Sequence, residues 1–386
     1  MNEEFKNIEF VFCSFYPVGL EDYVCFFKSH FETFTYLKLK FPHSKGAQKS
    51  SIGGEDIISF PPIKSRTLYF VFLPLQYLLF FAQILYHLWG RKTPKKRVFM
   101  GVNYFCTMCG IILKKFGRID FVIYRVMDFF PLPKFGPYRI LNRIFYVIDN
   151  FCLKNADSVW FTTEGHMVGR EKYGYFDRKS CPYVLIPLGL DVSKFACVDK
   201  LDKKASHSLV YCGVVSRYHM LDLVFEVLVD LKKDIPQILL NLIGSGPDLD
   251  YYRELSKKKG LERNVIFHGF VEDGPEFSSL MSNNLLGIAL YKDEEDFMKY
   301  TEPAKVKHYL SFGVPALVSD VPKVARELDR KRVCFAVKND KSEIVKAIKD
   351  YFLNAKLQKE YKDNIKNFVR TIDINKMLSD RMLKTL

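Results

Sequence analysis

The chain lacks most of the marks that place a protein quickly. Its nine cysteines are scattered, with none of the close, even spacing of a secreted disulfide framework. The one tight pair, Cys106 and Cys109, has no second C-x-x-C to complete a zinc site, so the two thiols are read as core packing. No signal peptide precedes residues 8–13, which already read as a strand, and a reducing cytoplasm is the expected compartment. No nucleic-acid module is recognisable. Acidic residues are scarce in one half: residues 1–190 hold 15 Asp+Glu against 25 Lys+Arg, so that half carries +10 of the formal +14. A basic surface of this kind suits nucleic acid, an anionic membrane or a phosphorylated substrate, and charge alone does not choose among them.

What is present is an ordinary globular composition, 48% hydrophobic and 26% charged, which argues against disorder. At 386 residues the chain is long for one hydrophobic core and suits two domains with a cleft between them. In the first half "IEFVFCSF", "VFMGVNYF", "RIDFVIYRVMD" and "ADSVWFTTE" read as strands separated by helical patterns. The second half repeats that grammar with "SLVYCGVVS", "ILLNLIGSG", "NVIFHGFV", "LLGIALY", "VPALVSD" and "RVCFAV". Alternation of this kind predicts two doubly wound parallel sheets. The boundaries expected are 1–190, 191–360, and a helix in 361–386 packing back on the first domain.

Residues 67–90 contain no Asp, Glu, Lys or Arg and match a bilayer in length. Spanning would put strands of one sheet on opposite sides of the membrane, so a span is rejected. Lys64 and Arg66 on one side, and Arg91, Lys92, Lys95, Lys96 and Arg97 on the other, suit a helix lying in an anionic interface. The alternative is a buried core helix.

Gly244 and Gly246, in "LIGSGPDLDYY", close a strand where a helix begins, at the carboxyl edge of a parallel sheet where ligands bind. Alone the G-x-G is only a tight turn, because it lacks the spacing of the dinucleotide and P-loop fingerprints. It has company: "LIPLGLD" at 185–191, "NVIFHGFV" at 264–271 and "EPAKVKHYLSFGVPALVSD" at 302–320 occur with it in order. Together these resemble the retaining GT-B glycosyltransferases of the group-1, or family 4, type. In the first half "YRVMDFFP" and "IDNFCLKNADSVWFTTEGHM" look like acceptor-domain segments of bacterial surface-polysaccharide enzymes of that family. The resemblance implies a GT-B fold, two Rossmann-like domains facing a central cleft, with a nucleoside-diphosphate sugar in the second.

In the 302–320 stretch Pro303 suits a first helical turn, Thr301 or Glu302 is placed to cap it, Val306, Tyr309 and Leu310 form an apolar stripe, and Gly313 ends it. The helix start and Lys305 together favour a diphosphate, and in the family the matching lysine faces the donor's. Family members carry two Glu eight positions apart here; counted back from Gly313 and Pro315, those positions hold Tyr300 and His308. His308 lies one turn from Lys305 and is expected to hydrogen-bond ribose, and Glu302 is the nearest carboxylate for the sugar. The family's Arg and Lys-Gly pair, before the first helix of the second domain, are represented by Arg217 and His219-Met220.

In the first domain Asp128 follows a predicted strand and is the candidate general base, with a turn cap as the alternative reading. Tyr16, Thr163, Glu164 and His166 are further candidates, His166 equally a structural histidine. Asp248 and Asp250 form a D-x-D at a helix start, where the dipole favours acids, and no metal is expected. The expected activity is therefore a retaining, metal-independent hexosyl or other glycosyl transfer without a cofactor, to a lipid-linked or polysaccharide acceptor at the inner membrane face. The alternatives are a non-catalytic nucleotide-sugar-binding or scaffold protein, or an epimerase or phosphorylase on the same architecture.

Overall fold

The structure, a computed structural model, describes residues 5–14, 20–38, 48–52, 55–60, 66–89, 95–131, 137–189, 192, 207–272, 274–293 and 296–386. The chain divides into two compact units, Met1–Ile186 with Leu378–Leu386, and Pro187–Met377. The boundary expected at residue 190 lies outside the described residues.

The first unit is built on eight strands: β1 (Ile8–Ser14), β2 (Thr33–Lys38), β3 (Gln48–Ile52), β4 (Glu55–Phe60), β5 (Lys96–Val102), β6 (Phe121–Val126), β7 (Ser158–Phe161) and β8 (Tyr183–Leu185). Their order is β4-β3-β2-β1-β5-β6-β7-β8, parallel from β2 to β8. All seven residues of β1 are buried, as a continuous apolar run must be when helices cover both faces. Phe10 stacks on Phe27 of α1 (Glu21–His30), with ring centroids 4.4 Å apart. Val11 and Cys13 turn the other way, into the layer that holds α3 (Tyr104–Lys115). Cys106 and Cys109 lie in that layer, and burial pushes both thiols well above their ordinary pKa, as core packing requires. The β3–β4 hairpin adds antiparallel strands to an otherwise parallel sheet, which the sequence did not lead us to expect. "QKSSI" has no apolar alternation, and backbone hydrogen bonding to its neighbours defines it.

The second unit has six strands, all parallel: β9 (Ser208–Cys212), β10 (Leu239–Ile243), β11 (Val265–Gly269), β12 (Leu286–Ala289), β13 (Ala316–Ser319) and β14 (Cys334–Val337). Their order, β11-β10-β9-β12-β13-β14, is the doubly wound arrangement with its reversal between β9 and β12. Leu209 and Tyr211 face a layer with Val224 and Leu228, whereas Val210 faces the opposite layer with Val306 and Leu310.

The charge-free segment forms helix α2 (Arg66–Trp89). Gln76, Phe80, Ile84 and Leu88 recur every fourth residue and are buried, while Leu75, Leu78 and Tyr86 on the same helix are exposed. Among the described residues no helix is long and apolar enough to cross a membrane. One flanking cation must be reassigned: Arg97 is buried and ion-paired with Glu9 at 2.9 Å, so it cannot face a lipid headgroup. Lys95 pairs with Glu32 at 2.9 Å, and Lys64, Arg91 and Lys92 lie outside the described residues.

Candidate functional site

Two loops at the carboxyl edge of the second sheet are stitched together backbone to backbone. The loop after β9 donates from Val215 N–H to the Ser245 carbonyl at 3.0 Å, and the loop after β10 donates from Gly244 N–H to the Gly269 carbonyl at 2.6 Å. The approach is so close that a side chain on Gly244 would meet the Gly213 carbonyl, and one on Gly246 the Val215 carbonyl. Gly244 also has φ 133°, which L side chains rarely adopt. Both predicted glycines are thus required by geometry. Met220, where the resembled family has glycine, keeps φ 51°, a left-handed conformation that favours glycine.

Lys305 packs on the first of these loops. It lies in α9 (Ala304–Ser311), numbering helices in chain order, and its side chain lies over the Cα of Gly213. Its ammonium donates to the Tyr211 hydroxyl at 2.9 Å and sits 4.4 Å from the centre of that ring. Among the described residues it has no carboxylate partner, and burial pulls its pKa down to about 7. His219, half-buried nearby, is pushed to about 4 by burial and by Lys305, and is neutral at pH 7. Arg217 is exposed, its guanidinium lies 4.1 Å over the Tyr251 ring, and its backbone N–H donates to the Asp248 carboxylate at 3.0 Å. Asp248 of the D-x-D thus serves the loop. The site therefore presents a depressed lysine and backbone turns, a set suited to an anion.

The reading of Thr301 or Glu302 as the helix cap is corrected. The helix begins after Pro303 with no side-chain cap from Thr301 or Glu302. Glu302 is instead ion-paired with Lys307, both buried, and accepts from Leu188 N–H at 2.9 Å, while Lys307 donates to the Leu188 carbonyl at 2.7 Å. This clamp holds the "IPLG" segment from both backbone groups of one residue and leaves little freedom for a role at a sugar. Lys307 was missed in the sequence, because the backbone of Leu188 that it and Glu302 hold together is remote in the chain. Thr301 is half-buried and Tyr300 is buried. His308 packs against the rings of Phe277 and Phe312, 5.5 and 5.8 Å away, and Gly313 ends the helix at φ 67°.

In the first unit Asp128 lies two residues past β6, half-buried, and lines a cavity of about 430 Å³. Its carbonyl accepts from Arg170, whose guanidinium pairs with Asp149 at 2.8 Å with both side chains buried. Thr163 caps helix α5 (Glu164–Lys172), accepting from Gly165 N–H at 3.3 Å, and Glu164 opens that helix, exposed. His166 is buried, and burial together with Arg170 and Arg125 holds its pKa well below the usual histidine range, which fits a structural histidine. Tyr16 lies outside the described residues.

Residues 198–368 match the family of glycosyl transferases group 1. Curated proteins offer no match. Among solved structures, Anabaena HepE in complex with UDP superposes with a TM-score of 0.70 at 14% identity, covering 98% of this chain and 100% of that one. The Escherichia coli trehalose-6-phosphate protein bound with UDP-2-fluoro glucose gives 0.68 at 13%, covering 98% of each chain. Sucrose-phosphate synthase of Thermosynechococcus elongatus gives 0.65 at 15%, covering 97% and 98%. The fold is that of the GT-B glycosyltransferases, with two Rossmann-like units.

Proposed function

We propose that this protein transfers a sugar, with retention and without a metal, from a nucleoside-diphosphate sugar to a lipid-linked or polysaccharide acceptor at the cytoplasmic face of a membrane. The observation that carries the reading is Lys305 against Gly213, whose loop packs on the turn holding Gly244 and Gly246, within the residues that match group 1. A half-buried ammonium with no carboxylate partner among the described residues is costly unless an anion completes it, and a departing diphosphate is such an anion. HepE in complex with UDP, which shares the fold, agrees with a nucleotide in that role. Arg217 and His308 would complete the nucleotide's surroundings. Asp128 would take the acceptor's hydroxyl proton as it attacks, and the exposed apolar side chains of α2 would hold the chain peripherally to the membrane.

A second reading, nucleotide-sugar binding without turnover, rests on the Glu302–Lys307 clamp together with Tyr300 and His308 in place of carboxylates. Purified protein assayed for donor hydrolysis and transfer, beside a Lys305→Ala variant, separates the two. Turnover lost in the variant supports transfer. Binding of nucleotide by the unaltered chain, with no turnover on any donor or lipid acceptor, overturns it.

A further inference from the structure

The cavity beside Asp128 is walled by aromatic rings, among them Tyr77 of α2, Phe105 of α3, and Phe145 and Tyr146 of α4 (Pro137–Asn155). Six of its polar side chains are already engaged, those of Asn103, Tyr124, Asn142, Tyr146, Asp149 and Arg170. Asp149 accepts from Tyr124 and from Arg170, and Arg170 also donates to the His166 carbonyl. The Tyr146 hydroxyl donates to the Phe130 carbonyl at 2.8 Å, and Asn142 to the Pro131 carbonyl at 3.5 Å. Asn103 caps α3 by accepting from Phe105 and Cys106 N–H. A sugar entering this space would lose its hydrogen bonds to water and find few in return. A hydrocarbon loses none, and removing it from water is favourable in proportion to its area.

We propose that this cavity binds the hydrocarbon chain of a lipid-linked acceptor, seating it beside Asp128. At about 430 Å³ it is roughly three times the size of a dry cavity that takes one benzene, room on the order of 15 carbons. Its position favours a lipid as the source of that chain. Tyr77 lines the cavity, and Leu75 and Leu78 on the same helix are exposed, so one helix offers apolar side chains both to the cavity and to solvent. The word acceptor rests on the sugar-transfer reading; the hydrocarbon site does not.

The test is calorimetric titration of the full-length protein with farnesyl phosphate below its micellar concentration, beside farnesol and inorganic phosphate. Farnesyl phosphate and farnesol are expected to bind, and phosphate alone to leave the first unit unoccupied. Asn142→Trp, which fills the cavity, and Phe145→Ala, which removes a wall, are expected to weaken the chain's binding at least tenfold with the circular dichroism spectrum retained. Leu78→Ser, on the exposed side of α2, is expected to leave it intact. No binding of either farnesyl compound overturns the proposal, as does binding equal in the unaltered protein and both cavity variants, or binding lost only in Leu78→Ser. Sugar transfer without farnesyl binding removes the cavity assignment and leaves the activity standing. Farnesyl binding with no donor turnover does the reverse.

Discussion

The two units bury cations beside their candidate sites in different ways. In the first, Arg170 is enclosed with Asp149, and the pair raises the guanidinium's already high pKa further, chiefly through that carboxylate working against desolvation. In the second, Lys305 meets the hydroxyl and ring of Tyr211 and has no carboxylate partner among the described residues, and burial brings it to about 7. Two residues on, Lys307 behaves like Arg170 and is ion-paired with Glu302. A buried cation with its carboxylate is a structural joint, and removing one partner strands the other. A buried cation without one carries its cost until an anion arrives. The contrast separates cations joined to carboxylates from Lys305, which the proposed reading assigns to a diphosphate.

The largest expected effect comes from breaking the joint. Arg170→Leu strands Asp149 and should cost about 3–5 kcal/mol of stability, read as a lower denaturation midpoint. The contrasting change, Lys305→Met, should leave the melting temperature unchanged or raised while weakening nucleoside-diphosphate affinity by about 1.5–3 kcal/mol, roughly tenfold or more. If Lys305→Met destabilises the fold as Arg170→Leu does, the contrast fails.

Proton linkage sharpens the comparison. A bound diphosphate draws the Lys305 pKa back up, so above about 7 the binding step takes up a proton. Affinity should then fall as pH rises from about 7, by at most about tenfold per unit, and Lys305→Met should flatten the profile. The stability term has the opposite sense. Between the folded value of about 7 and the ordinary lysine value of 10.5, the unfolded chain holds more protons, so Lys305's contribution makes the unliganded protein more stable as pH rises through that window. Thermal melts across that range, with Lys305→Met as reference, measure it.

The smallest effect is expected at His308. Replacement by Ala should weaken nucleotide binding by about 0.5–1.5 kcal/mol, one hydrogen bond, and replacement by Glu should restore it. Unchanged affinity in both would remove the ribose role and leave His308 as packing for Phe277 and Phe312.

Much of the second unit was legible in the sequence. Its six strands are short apolar runs bounded by turn residues, Gly244 and Gly246 stand where the chain leaves the sheet, and Lys305 stands in the first turn of a helix. The first unit was less so. β3 has no apolar period to announce it, and the hydrophobic run of α2 fits a buried and an interfacial helix equally well until the structure shows which residues turn inward. Glu302 reads in the sequence as the nearest carboxylate for the sugar, and its partners in the structure, Lys307 and the backbone of Leu188, were not legible there.

By itself the sequence determined two βαβ units, the glycine turns, the helix that carries Lys305 and an excess of positive charge in the first half. Those are local matters: periodicity sets which faces are apolar, glycine permits close backbone approach, and composition sets charge. Only the tertiary structure decided which cations are joints and which is poised. Glu302 is close in sequence to both lysines and pairs with Lys307, while the cavity's polar groups meet partners brought from distant parts of the first unit. Burial then turns those meetings into pKa values, clamps and an apolar space.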